Sequence, residues 1–431
     1  MVRITVIGAG SAGLLSALII QNKNKLAEVT VIESSNVPVI GVGESTVGQF
    51  VTAMKLHIGI DIDEFIREVH PVSKYGLWLD FGKKEFHYSF DTAFDMQFYD
   101  KELPEGFYFN GGNYGNTLWS RRMISRSDST ADNRSTAFNF DNRLFLAYLR
   151  KLAVSRGIIF KDDKINTIQR EGDTILSLND IYKADYFIDC SGFNPLLSKE
   201  KWKSYKDTLI NDRALIFTRK TDDIVRPYTK ATTMDNGWLW EIDHYEHTGF
   251  GYVYSSEYST DQNALEEVQK HLGIIVDEHR VIKFKTGRLE RHWVGNVITL
   301  GNTDGFIEPL EATSLMMITT MSIQIADIIR YSAAKGDLPE QYNDFVNEYY
   351  DNIHDFILTH FIYNKKLDTK YWIDYRARKA LFTKDRVGSK ILKHYLNNGV
   401  HLKFTSHMFS ETNPFGLEGW FAIFRGLDVN V

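Results

Sequence analysis

Val2-Arg3-Ile4-Thr5-Val6-Ile7-Gly8-Ala9-Gly10-Ser11-Ala12-Gly13 is the stretch that decides the fold. A run rich in β-branched residues stops at three glycines, and the apolar stretch Leu14 to Ile20 follows at once, which predicts strand, turn and helix. Each glycine has a physical reason. Gly8 permits the tight turn, Gly10 lets the backbone approach a pyrophosphate, and Gly13 lets the helix lie close to the strand. The helix N-terminus turns free N–H groups and its positive dipole end toward the phosphates, so Ser11 and Ala12 join the glycines as binding candidates. The next β-rich run, Val29-Thr30-Val31-Ile32, ends at Glu33, whose carboxylate suits ribose hydroxyls and repels a 2′-phosphate. A dinucleotide-binding α/β domain follows from this segment, with FAD and NAD both left open.

The rest of the chain is compatible with such a domain. At 431 residues, 43% hydrophobic and 25% charged, it has ordinary globular composition and length for more than one domain. The net charge of −6, from 50 basic and 56 acidic residues, supplies no broad attraction to nucleic acid or anionic membrane. A single cysteine, Cys190, rules out an internal disulfide and a cysteine-rich metal site, and no metal is expected. That usage fits a reducing cytosol. The first residues already belong to the nucleotide-binding strand, so no signal peptide is expected, and no apolar run approaches the length of a membrane span. A cytoplasmic protein is the expectation.

Two later stretches favour FAD. Tyr186-Phe187-Ile188-Asp189-Cys190-Ser191-Gly192-Phe193 is an apolar strand ending in a turn of small residues, and Asn296 to Phe306 has the apolar-strand-then-glycine form around Gly301. Both resemble the GR2-type flavoprotein monooxygenase-like pattern, in which such a glycine loop meets the flavin ribityl chain. Asn302 stands where that pattern usually has Asp; it still offers hydrogen bonds but carries no charge. The expected fold class is therefore α/β, an FAD-binding Rossmann-like domain with an inserted β-sheet and a helical C-terminal section. Its expected division is 1–204 and 285–330 for the FAD-binding domain, 205–284 for a sheet roofing the flavin, and 331–431 for a helical substrate section. Alternating stretches such as Arg213 to Arg219 and Phe250 to Tyr254 carry the sheet assignment, and three-four apolar spacing over Tyr342 to Tyr363 carries the helical one.

A series of segments then narrows the chemistry. In order these are Gly41-Val42-Gly43-Glu44-Ser45-Thr46, Lys74-Tyr75-Gly76, Phe138-Asn139-Phe140-Asp141 and Asp189 to Phe193. Trp238-Leu239-Trp240 comes next, then Phe306-Ile307-Glu308-Pro309-Leu310-Glu311-Ala312-Thr313-Ser314, and Phe356-Ile357-Leu358 through Asp368-Thr369. This succession resembles the flavin-dependent tryptophan halogenase family, as a short member with a reduced C-terminal substrate lid. By that resemblance Gly43, Glu44, Ser45 and Thr46 are cofactor contacts along with Gly301 and Asn302. Trp238 and Trp240 crowd the space beside the flavin against an organic substrate but not against a halide.

The resemblance further implies that reduced FAD, oxygen and halide generate hypohalous acid, which meets Lys74. There the ammonium either polarises the acid or becomes a haloamine. Glu311 is implied as the base that accepts the arenium proton or as a group that orients the electrophile. The backbone N–H groups of Thr313 and Ser314 are implied as the halide site, a role suited to a helix N-terminus. Ser314 and Ala312 depart from the Gly and Ser frequent there, and larger, more easily oxidised halides, bromide and iodide, are expected to outrun chloride. A separate flavin reductase is the expected partner, because no second dinucleotide fingerprint is visible. The substrate is expected to be an electron-rich aromatic of indole or phenol type rather than free tryptophan, with Trp78, Phe90 and Trp372 as candidate ring contacts.

Each of these residues also has a plain alternative. Residues two apart on a strand share a face, so Trp238 and Trp240 suit core packing. A lysine at a strand entrance is ordinarily solvated, and a glutamate near Glu311 suits the first turn of a helix. A flavin monooxygenase shares the nucleotide-binding pattern but does not explain the tryptophan pair with Lys74 and Glu311. A flavin-binding protein that has lost catalysis is the other alternative, kept open by Asn302, by Ala312 and by Asp243 in place of the family's proline after Ile242.

Overall fold

The computed structural model describes residues 1–36, 44–89, 124–125, 137–221, 224–331, 338–378, 386–398 and 411–429. Two compact units emerge. Unit 1 comprises Met1–His70, Phe140–Ser204 and Gly287–Glu348, and unit 2 comprises Pro71–Asn139, Tyr205–Thr286 and Tyr349–Val431. This division by contacts differs from the expected one at Pro71–Asn139, which falls in unit 2 rather than with the nucleotide-binding segments, and in the expected C-terminal section, which is divided at Glu348/Tyr349 with its later part joined to the inserted sheet in unit 2.

Unit 1 is built on β1 (Arg3–Ile7), α1 (Ser11–Lys23) and β2 (Glu28–Glu33). Its six-stranded sheet runs Trp293–Val294, Val297–Thr299, Tyr186–Asp189, β1, β2, Ile159–Asp162. Every neighbouring pair is parallel except the terminal Trp293–Val294 hairpin. The chain leaves β1 for β2 on one side and returns to Tyr186–Asp189 on the other, so the strand order reverses at β1. Open parallel sheets bind ligands outside the carboxyl ends of the strands at such a switch point. All residues from Gly13 to Ile20 of α1 are buried. A helix apolar all round must be covered on every side; α1 packs against α2 (Ser314–Tyr331) and the helix Asn142–Ser155.

Unit 2 contains a seven-stranded sheet in the order Arg280–Lys283, Arg213–Lys220, β4, β3, Thr229–Met234, Gly76–Asp80, Phe86–Ser89. Here β3 is Gly237–Asp243 and β4 is His247–Tyr254. Pairing is antiparallel apart from Thr229–Met234 with Gly76–Asp80. One face is covered by the helix Asp261–Leu272, which starts at the Thr260 cap and stops at left-handed Gly273. Its Ala264 and Val268 pack on Leu215, Leu239, Phe250, Tyr252 and Tyr254. Period-two alternation then puts Trp238 and Trp240 of β3, and Gly249, Gly251 and Val253 of β4, on the opposite face. Gly249 and Gly251 lie mid-strand without a positive φ, so backbone conformation does not require them. Each weakens the strand by about 0.5–1 kcal/mol relative to alanine.

Among the described residues no helix is long and apolar enough to cross a membrane, and no group of His, Cys, Asp or Glu is placed to hold a metal ion.

Candidate functional site

In unit 1 the glycine turn is shaped as its spacing demands. Gly8 has φ +100°, and a Cβ there would lie 2.6 Å from the Cys190 carbonyl oxygen. A Cβ on Gly13 would lie 1.8 Å from the Gly8 carbonyl oxygen, so α1 sits directly on the turn, whereas one on Gly10 would meet open space. Gly10 also serves as the N-cap of α1 without a side-chain hydrogen bond to the first turn. An uncapped helix start facing open space suits an anionic pyrophosphate.

The second loop of the pattern lies against this turn. Gly301 has φ +69°, and a Cβ on it would come within 2.7 Å of the Ala12 side chain. The Gly192 N–H donates to Thr303 Oγ1 at 2.9 Å, tying the loop to the turn after Asp189. Behind it is a buried brace absent from the sequence expectations. Thr299 Oγ1 donates to Asp304 Oδ1 at 2.5 Å, His292 Nδ1 meets the same oxygen at 2.5 Å, and Asn343 Oδ1 accepts from the His292 N–H. Asp189 is fully buried, and burial pushes its carboxyl above the ordinary carboxylate range despite bonds from the N–H groups of Ser191, Leu196 and Leu197. Burial likewise pushes the Cys190 thiol up, away from redox reactivity.

Glu33 ends β2 as expected, but its carboxylate is not waiting alone. Arg150 grips it with both terminal nitrogens, Nη1 donating to Oε2 at 2.7 Å and Nη2 to Oε1, while the guanidinium lies over the Phe160 ring at 4.5 Å. No local signal announces Arg150, which comes from another helix. Of the remaining cofactor candidates, Ser45 is half-buried, Thr46 is fully buried and Asn302 is half-buried. Gly43 lies outside the described residues, as does the side chain of Glu44.

Glu311 is buried. It closes a 3-10 turn, Pro309–Glu311, and α2 begins only at Ser314, so Glu311 is not in the first turn of that helix as its plain alternative required. Ala312 between them is left-handed, φ 54°, a conformation that costs a non-glycine residue about 1–2 kcal/mol. Thr313 is buried and Ser314 half-buried at the start of α2, with the Met317 N–H bonded to the Thr313 carbonyl. Glu308 is as enclosed as Glu311.

In unit 2, Lys74 ends the strand Val72–Lys74, paired with Ala137, and its side chain is 0% exposed. The solvated alternative for this lysine therefore fails. Gly76, φ +157°, two residues further on, makes room for the neighbouring strand: a Cβ there would fall 2.2 Å from the Tyr88 carbonyl oxygen and 2.6 Å from the His87 ring. His87, which the sequence reading passed over, stands across the strands from Trp78, and Tyr228 packs on both, at 6.2 Å and 5.8 Å between ring centroids. Trp78 is half-buried and its Nε1 donates to Glu85. Trp372 corrects its expectation. It is 0% exposed, donates from Nε1 to the Met234 carbonyl at 2.7 Å and packs among Phe81, Phe361 and Tyr371, so it is core and presents no ring face to a substrate. Phe90 lies outside the described residues.

Trp238 and Trp240 are both buried, on the face that the Asp261–Leu272 helix does not cover. Asp243, where a proline was expected, closes β3. It accepts from the Arg226 N–H at 2.7 Å, from Arg226 Nη2 at 2.8 Å and from Thr248 Oγ1 at 2.8 Å. Burial alone would raise this carboxyl, but the Arg226 bonds and charge outweigh it and hold Asp243 below the usual range.

Comparison with known proteins gives a consistent picture. The family model described as tryptophan halogenase matches residues 3–429. Tryptophan 7-halogenase RebH of Lentzea aerocolonigenes is 29% identical over 90% of this chain and 81% of its own. Tryptophan 6-halogenase ThaL of Streptomyces albogriseolus is 26% identical over 98% and 89%. Among solved structures, MibH, a lathipeptide tryptophan 5-halogenase, superposes with a TM-score of 0.86 at 28% identity, covering 100% of this chain and 86% of its own. A tryptophan halogenase from Shewanella frigidimarina, at 21% identity and a TM-score of 0.85 over 100% and 89%, shares the fold.

Proposed function

Because the chain belongs to the tryptophan halogenase family and is a flavin-dependent halogenase of aromatic substrates, we propose that Lys74 and Glu311 guide its electrophilic halogenation step. The observation that carries this reading is the complete burial of the Lys74 ammonium, since desolvating a charge is expensive and persists where it has work to do.

Gly8, Gly10, Ser11, Ala12 and Gly13 would hold the FAD pyrophosphate at the uncapped start of α1, Glu33 the adenosine ribose, and Gly301 with Asn302 the flavin end. The segment Gly43 to Thr46 completes the cofactor set. Bound reduced FAD supplies, with oxygen, the oxidising power that turns halide into hypohalous acid. Thr313 and Ser314 offer the halide their backbone N–H groups. Lys74 donates a hydrogen bond to the oxygen of hypohalous acid, or forms the haloamine, and so presents an electrophilic halogen at one place. The aromatic carbon attacks that halogen; a carbon–halogen bond forms, the bond from halogen to oxygen or nitrogen breaks, and Glu311 takes the displaced ring proton. Trp238 and Trp240 keep an organic ring out of the hydroxylation position.

A separate reductase supplies the reduced flavin in this reading. The substrate is an indole or phenol type of ring. The relatives are named for halogenation at tryptophan positions 5, 6 and 7, so regiochemistry varies among them on one shared frame. The altered residues Ala312 and Ser314 support faster turnover with bromide or iodide than with chloride, and equal rates with all three would remove that argument.

The test is incubation with FAD, a flavin reductase, NADH, oxygen and each halide against a panel of indoles and phenols, reading product masses. A halogen mass shift is expected in the wild type and is expected to vanish in Lys74→Ala, with flavin reoxidation unchanged. Product retained by that variant refutes the role of Lys74, and a hydroxylated product moves the protein to the monooxygenases.

A further inference from the structure

Trp240 has an unusual seat. Its cross-strand partner is Gly251, and Gly249 lies next along the same face of β4. A Cβ built on Gly251 would fall 2.2 Å from Cε2 and 2.3 Å from Cζ2 and Nε1 of the Trp240 indole. One on Gly249 would fall 3.3 Å from Cζ3 and 3.7 Å from Cη2 of the same ring, and 3.5 Å from His244 Nε2. The indole therefore lies along β4, with its pyrrole side over Gly251 and its benzo end over Gly249. Neither glycine has a positive φ, and a glycine inside a strand marks close approach of another group.

We infer that Gly249 and Gly251 form a trough that sets the ring plane of Trp240, and that FAD binding depends on this plane. The inference rests on the reading that Trp240 stands beside the flavin. Laid flat, the indole occupies the height of one ring thickness above the strand. Any side chain at 251 must displace its pyrrole edge from the strand. Gly249 and Gly251 are thus positioning residues, acting through Trp240 rather than on the reacting atoms, and the same trough explains why a strand so rich in aromatics, Phe250, Tyr252 and Tyr254, carries two glycines on its other face.

The test uses the full chain and four variants: Gly251→Ala, Gly249→Ala, Trp240→Phe and the double variant Trp240→Phe with Gly251→Ala. Near-UV circular dichroism reads the tryptophan environment, and fluorescence titration reads affinity for oxidised FAD. Gly251→Ala is expected to change the tryptophan band and weaken FAD by about tenfold, the scale of an overpacked contact. The double variant, with a smaller ring, is expected to bind FAD as Trp240→Phe alone does. A Gly251→Ala protein with wild-type band and affinity overturns the trough, as does a defect that Trp240→Phe fails to suppress. If Gly251→Ala does not fold, the milder Gly249→Ala decides: a shifted band supports the inference and a wild-type band overturns it. Failure of the wild type to bind FAD refutes the flavin reading instead and is seen before any variant is made.

Discussion

Gly13 occupies a position that no larger residue fits. Its missing Cβ would lie 1.8 Å from the Gly8 carbonyl oxygen, so Gly13→Ala must push α1 off the turn that it helps to form. The expected loss is about 3 kcal/mol of stability, the upper range for a backbone clash of this kind, together with a fall in FAD affinity beyond that of any surface change. Thermal melts and FAD titration check both, and a variant that melts and binds as the wild type would mean that α1 is seated differently. This glycine was legible because its constraint is local: strand, turn and helix are adjacent in the chain. The burial of Lys74 was not legible. Its residue type and strand position suggest solvation, and its burial depends on partners far away in sequence. The same holds for Arg150, whose grip on Glu33 crosses 117 positions, and for the seat of Trp240, which exists only once the register of β3 and β4 is fixed.

The β3–β4 hairpin shows what an element needs at its end. Strands with both faces buried have few polar residues to spare, yet β3 finishes in Glu241-Ile242-Asp243 and Arg226 joins both carboxylates. Removing one partner of such a buried group leaves the other unsatisfied, so Asp243→Asn is expected to cost about 2 kcal/mol at pH 7. The sign with pH follows from the depressed carboxyl of Asp243. Its stabilisation is fully present above the unfolded value of about 3.9 and is lost as pH falls through the lower folded value. Urea unfolding of wild type and variant should therefore differ at pH 7 and converge as pH falls through the lowered folded value of Asp243; a difference that stays constant into strong acid would assign the effect to packing. Sequence alternation found these strands, but it did not find that Gly76–Asp80 and Phe86–Ser89 extend the same sheet. Short strands separated by long stretches of chain carry no local mark of which edge they join.

Across the whole molecule the backbone passes five times between the two units, at His70/Pro71, Asn139/Phe140, Ser204/Tyr205, Thr286/Gly287 and Glu348/Tyr349. The sequence expects interleaving with boundaries at 204/205, 284/285 and 330/331; the contact division crosses in addition at His70/Pro71 and Asn139/Phe140, where composition does not shift. Neither unit is one continuous segment, so neither can be cut out by a single truncation. A chain ending at residue 348 loses Phe361, Trp372 and Tyr375, all buried in unit 2. It is expected to lose the share of the thermal transition that belongs to unit 2 while unit 1, whose segments are all retained, still melts, and a melt of wild-type enthalpy from that fragment would show that unit 2 needs nothing beyond Thr286. Interleaving also has a consequence in time. On the ribosome, the strand Tyr186–Asp189 is finished long before its neighbour Val297–Thr299 is made, a wait of roughly ten seconds at ordinary elongation rates. Throughout that interval an apolar sheet edge stands unpaired, so the yield of folded protein should depend on translation speed and chaperone supply more than on the stability of the finished chain.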